Sequence, residues 1–304
     1  MISKFKPGIT VVIPHKDSPD SLDKALASVL SQTLPVNEIL IIDDHSILDI
    51  HHLKPKTNIP IKIFNSPGRG VASARNFGVS KARYAVIAFI DADDIWHSNK
   101  TKIQLIEPLT RLELRGTYAQ FVGITGKPIG QSLKSKNDLE ATRNIEKGEN
   151  LPALTSTWMV NNEDFNEIGG FDETFEAGSD FEFMNRFVQK GGKITVIRIP
   201  CIDYALNLSS ISATKYIKQF IAKQYVQNRA KNPDLKYKKF LQNKITMNLL
   251  RKAYAGYYSR QAIILLSNQK NWACISPAFT SLFLAPILFI RKFITQFRVT
   301  FFIK

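Results

Sequence analysis

Three carboxylates crowd into four positions where the stretch AVIAFIDADDIW, residues 85–96, leaves its apolar run: Asp91, Asp93 and Asp94. A second apolar run, EILII at 38–42, ends in Asp43 and Asp44. Like charges brought together raise one another's pKa unless a cation balances them. Clustered oxygen ligands suit Mg2+ or Mn2+, which also take oxygens from substrate phosphates. An Asp-x-Asp at a strand end therefore suits a metal–diphosphate unit, with Asp93 and Asp94 both open as the metal ligand. An isolated Asp pair is more often a turn former or a helix cap. Two acidic strand ends in one chain favour the chemical reading. Neither a G-x-G-x-x-G after a strand nor a G-x-x-x-x-G-K-[ST] occurs, which argues against a dinucleotide site and a P-loop.

Such carboxylates need a sheet to bring them together. The run ITVVI (9–13) reads as a buried strand, and residues 21–32 follow as a helix with Leu22, Ala25, Leu26, Val29 and Leu30 on one face and Ser21 as its cap. EILII, then IKIF (61–64), read as strands; VASARNFGVSKA (71–82) reads as a helix and AVIAFI as the next strand. Strands alternating with helices predict βαβ units and a parallel sheet, whose ligand crevice lies at the carboxyl ends of the strands. Further on, 116–124, 153–160 and 193–199 read as strands and 180–191 as a helix. The polar stretch 125–150 between the first two reads as a loop, and from about 214 the pattern is helical.

Four stretches together resemble the family 2 glycosyltransferases of the GT-A fold: ITVVIPHKDSPDSLDKALASVLSQT, NEILIIDDHS, GRGVASARNFGVSKARYAVIAFIDADD and IGGFDETFEAGSDFEFMNRF. The resemblance runs collinearly from residue 9 to about 212. It implies a Rossmann-like mixed α/β sheet over residues 1–212, followed by a helical region over 213–304. It also implies a nucleotide-sugar donor, UDP-linked, bound by Pro14, Asp43, Asp44, Arg75, Asp91 and Asp93. Asp44 is the favoured contact to the base, and Asp91 and Asp93 hold the ribose and the metal-bound diphosphate. In the pattern around GSDFEFMNR, Asp180 falls where the family places the general base of inverting transfer, with Arg186 downstream. Its plainer alternative is a helix-start aspartate stabilised by the helix dipole. The chain departs from the pattern at Pro14-His15-Lys16-Asp17, which lacks the usual aromatic, at Ser179, where a glutamate is usual, and at Asn207, where a histidine is usual.

The chain's 304 residues carry a net charge of +15, unevenly placed. From Asn207 onward there are 17 lysines and arginines against one acid, Asp234. That asymmetry points to an anionic partner, and an anionic membrane surface fits it better than nucleic acid, for which no motif is present. Residues 273–290 run uncharged, interrupted by Pro277 and Pro286; they suit an interfacial anchor, a buried hairpin or a span. Two distant cysteines and an apolar start too short for a signal peptide fit a cytoplasmic protein attached to the inner membrane face, acting on a glycan or lipid-linked acceptor. Competing readings are a sugar-nucleotide nucleotidyltransferase, which would need a glycine-rich loop after the first strand, and a non-catalytic nucleotide-sugar-binding module.

Overall fold

The computed structural model describes residues 5–48, 50, 55–122, 128–131, 137–147, 154–205, 211–232, 234–243, 245–267, 276–278 and 280. The chain opens with β1 (Lys6–His15), α1 (Pro19–Leu30), β2 (Glu38–Asp43), β3 (Ile61–Asn65), α2 (Val71–Lys81) and β4 (Tyr84–Phe89). Then come β5 (Ile95–Trp96), α3 (Lys100–Gln104), β6 (Glu113–Val122), β7 (Pro128–Gln131), α4 (Asp138–Glu146), β8 (Trp158–Asn161), α5 (Asn162–Ile168), α6 (Ser179–Gln189) and β9 (Lys193–Ala205). The last helices are α7 (Ile211–Thr214), α8 (Tyr216–Lys231), α9 (Tyr237–Asn243) and α10 (Met247–Ser267).

The residues separate into two compact units, one of 1–119 with 132–204 and one of 120–131 with 205–304. In the first, the strand order is β3-β2-β1-β4-β8-β6-β9-β5. β1 pairs in parallel with β2 and β4, and β2 with β3. β8 enters antiparallel to β4, setting Ala88 against Met159, and pairs antiparallel with β6. The central strands are buried on both faces, which is why they read as unbroken apolar runs rather than alternating ones. Each fully buried Val, Leu or Ile there contributes about 1.5–3 kcal/mol. Helix α2 lies unusually close to the sheet: a Cβ on Gly78 would stand 2.5 Å from Val12 Cγ1. Alanine at 78 would push the helix off its strands.

Two sequence expectations change. The helix after β1 begins at Pro19 with Ser18 as its cap, because proline is preorganised for the first turn. The stretch 125–150 is not all loop: it contains β7 and α4, whose cap Asn137 accepts the Glu140 N–H at 2.8 Å.

In the second unit, α8 packs on α10. Tyr225 of α8 meets Tyr237 and Phe240 of α9 edge-on, with centroids 5.1 and 5.7 Å away, and its hydroxyl donates to Leu235 O at 3.0 Å. Among the described residues no helix is long and apolar enough to cross a membrane. Most of the uncharged run 273–290, together with Asn207, His51 and His52, lies outside the described residues.

Candidate active site

The acidic turn after β4 is built by a hydroxyl that the sequence reading passed over. Ser156 Oγ accepts the Asp91 N–H at 2.9 Å and donates to Asp94 Oδ2 at 2.5 Å. The Asp94 N–H donates to Asp91 O at 3.0 Å, closing the turn. Ser156 sits in a 3-10 turn, Thr155–Thr157, where the sequence pattern predicts a strand. Three hydroxyl residues in a row before Trp158 are the turn signal that pattern overlooks.

Asp94 is 1% exposed, and its second oxygen has no partner. Burial holds its carboxyl well above the usual range, Asp93 and Asp91 raise it further, and Ser156 and Arg75 only partly oppose them. The Asp93 carboxyl is pushed up to about 6, by burial first and then by Asp91. Asp91 is ion-paired with Arg75 of α2. That guanidinium is buried, leaves Nε unpartnered, and lies 5.6 Å over the Phe171 ring. Three carboxylates thus face one cation, and two of them are held toward the neutral form.

Asp180, in the first turn of α6, feels the charges of this cluster. Gly178, at φ 87°, turns the chain into α6, and Asp180 Oδ1 accepts the Phe181 N–H at 2.8 Å. Burial raises its carboxyl, Arg75 is the leading opposing influence, and Asp91 adds to the rise. Asp180 therefore lies within the field of the same Arg75–Asp91 pair. Arg186, six residues along α6, is held by Glu182 and donates to Ile168 O at 2.5 Å and Gly170 O at 2.6 Å. It clamps the turn after α5 rather than facing the carboxylates.

The end of β2 is organised differently. Asp44 accepts the Gly70 N–H with both oxygens, at 2.9 and 3.0 Å, tying β2 to the start of α2. Asp43 accepts the N–H and the hydroxyl of Ser46. Pro14 is buried in β1 beside Ile42. His15, alongside Asp43 in register, is buried with both ring nitrogens unpartnered; burial pulls its pKa down against Asp43 and Asp17. His45 adopts φ 56°, a region that favours glycine; its Nε2 lies 3.2 Å from Gly68 O.

A floor of aromatic rings backs the acidic side. Trp158, 1% exposed, stacks on Phe183 at 5.6 Å and meets Phe89 at 5.6 Å and Phe171 at 6.0 Å. Trp158 is therefore part of the core. Phe89 lies two residues before Asp91, Trp158 two after Ser156, and Phe183 three after Asp180. Dense packing there fixes the rotamers of the polar residues beside it.

Among the described residues no three His, Cys, Asp or Glu side chains converge as a metal-holding group. A divalent ion shared with a substrate diphosphate needs only one or two protein carboxylates. Asp93, held up by burial and by the neighbouring Asp91, and the orphaned Asp94 oxygen fit such an ion.

Three kinds of likeness bear on this geometry. An uncharacterized glycosyltransferase of Rickettsia conorii is 42% identical over 99 residues, 32% of this chain, and the chain spans 16% of that protein's length. A UDP-Glc:alpha-D-GlcNAc-diphosphoundecaprenol beta-1,3-glucosyltransferase of Escherichia coli is 24% identical over 217 residues, 68% of this chain and 81% of that one. The crystal structure of S. aureus TarS 1-349 in complex with UDP-GlcNAc superposes with a TM-score of 0.56 at 14% identity, covering 96% of this chain and 89% of that one. Its complex with UDP gives 0.54 at 13% identity, covering 95% and 92%. At such identity the likeness shows the fold, a GT-A-like sheet. The profile of Glycosyl transferase family 2 matches residues 10–169, which hold every carboxylate of the acidic turn and the whole of α2. The chain belongs to Glycosyl transferase family 2.

Proposed function

We propose that this protein is an inverting glycosyltransferase, moving a sugar from a UDP-linked donor to a glycan or lipid-linked acceptor in surface polysaccharide synthesis. The observation that carries the reading is the position of Asp180 in the field of the Arg75–Asp91 pair. A base and a leaving-group site must lie on either side of one sugar carbon, and the mutual influence of Asp180 and the Arg75–Asp91 pair supports that arrangement.

Asp180 takes the proton of the acceptor hydroxyl as its oxygen attacks the anomeric carbon. The bond from that carbon to the donor phosphate breaks, and the nucleoside diphosphate departs with the electron pair. Burial raises the Asp180 carboxyl, which makes its carboxylate a stronger base, and Arg75 opposes part of that rise. Asp91, oriented by Arg75 and Ser156, binds the donor, and Asp44 and Asp43 shape the base end through the loops they tie. Mg2+ or Mn2+, held by Asp93, would act there as a Lewis acid on the departing diphosphate. Asp94, bonded to Ser156 through one oxygen, shapes the turn and keeps its second oxygen for the same ion.

The UDP and UDP-GlcNAc in the TarS complexes support a UDP-linked donor. The E. coli relative's diphosphoundecaprenol acceptor supports a lipid-linked one. The surplus of basic residues beyond Asn207 supports peripheral attachment to an anionic membrane face.

The test is a screen of UDP-sugars with Mn2+ for nucleoside diphosphate release by the native chain and Asp93→Ala. Release by the native chain, lost in Asp93→Ala, is expected. Release at the native rate by Asp93→Ala would remove the diphosphate role.

A further inference from the structure

We propose that Asn76 is a positioning residue of the transfer step, docking the turn that leads into Asp180 onto the helix that carries Arg75. The inference rests on the functional reading above. It starts from two adjacent residues of α2 that point different ways. Arg75 reaches Asp91, on the donor side. Asn76 reaches the turn after α5: its Nδ2 donates to Phe171 O at 2.8 Å and to Glu173 Oε1 at 2.9 Å. In return the Phe171 N–H donates to Asn76 Oδ1 at 2.8 Å. The side-chain amide thereby pairs with both backbone groups of Phe171, as a neighbouring strand would.

The fit admits no side chain at the adjoining position. Gly170 has φ 64°, and a Cβ there would stand 2.7 Å from Asn76 Oδ1. Arg186, on the helix of Asp180, holds the same turn, donating to Ile168 O and Gly170 O. The turn is therefore gripped by both the base-bearing helix and the donor-bearing helix. Phe171 itself is 2% exposed and lies under the Arg75 guanidinium. Loosening the Asn76 contact lets Asp180 drift against Asp91 while leaving the Arg75–Asp91 pair in place. A misplacement of about 1 Å in a reacting group lowers rate about 100-fold.

The test uses Asn76→Asp, which keeps the shape, removes both donated bonds and sets a carboxylate against Phe171 O and Glu173. The probes are UDP for binding by calorimetry and the UDP-sugar that the native chain turns over for rate. Turnover is expected to fall about 100-fold, with UDP affinity unchanged. The double variant Asn76→Asp, Glu173→Gln restores one hydrogen bond with its direction reversed, and should recover about tenfold of the rate. A melting curve for each variant reports the fold. Native turnover in Asn76→Asp overturns the role, as does equal loss of UDP affinity and rate. A rate that tracks melting temperature without recovery in the double variant overturns it too. If the native chain neither binds UDP nor turns over any UDP-sugar, the functional reading itself fails, and this role falls with it.

Discussion

Asp93 and Asp180 are both held above the ordinary carboxyl range, with different consequences. A carboxyl raised to about 6 in the fold and near 4 when unfolded binds more protons folded than unfolded between those values. Its contribution to stability is therefore lost as pH rises from about 4 through about 6. Asp93→Asn removes that penalty, so in metal-free buffer at neutral pH it should stabilise the fold by up to about 3 kcal/mol while abolishing transfer. Urea unfolding at pH 5 and pH 7 checks this: the gain should be present at the higher pH and shrink at the lower. Asp180 must be ionised to accept a proton, and its carboxyl is raised by burial. The acid limb of turnover against pH should accordingly lie above the value of an ordinary aspartate, and it should vanish along with activity in Asp180→Asn. An acid limb at the ordinary value would remove the burial argument.

At the scale of elements, the frame is set by glycines and an aromatic floor. Gly170→Ala brings a Cβ within 2.7 Å of Asn76 Oδ1 at a positive φ, and should destabilise the first unit by about 2 kcal/mol. Trp158→Ala opens the ring cluster under Ser156 and Phe183 and should cost about 3–5 kcal/mol, both read from thermal melts. The sheet strands were legible because burial on both faces writes an unbroken apolar run, and Asp43, Asp44, Asp91, Asp93 and Asp94 stood out because a run that ends in aspartates breaks that pattern; Asp180 was singled out only by the family resemblance. The run Thr155–Thr157 carried a turn signal, but the role of Ser156 was not legible, because its partners, Asp91 and Asp94, lie about 60 residues away. The amide of Asn76 was visible only as part of a motif; its partner Phe171 is 95 residues on. Sequence periodicity reports faces of elements, and long-range polar pairings leave no period to read.

For the molecule as a whole, charge asymmetry is the largest feature: 17 basic residues against one acid beyond Asn207. Attachment to an anionic bilayer through this region would be screened by salt, since the Debye length falls from about 10 Å at 0.1 M to about 3 Å at 1 M. Co-sedimentation with phosphatidylglycerol vesicles should be strong at low salt, weak at high salt and absent with phosphatidylcholine alone. Equal binding to both lipids would point to apolar contact instead.

The central claim is a division of labour, with Asp91 and Asp93 at the leaving group and Asp180 at the proton. It is tested most directly by measuring UDP-sugar binding and turnover side by side in Asp180→Asn. Donor affinity like that of the native chain is expected, with turnover lower by at least about 100-fold. Turnover by Asp180→Asn at the native rate would contradict it.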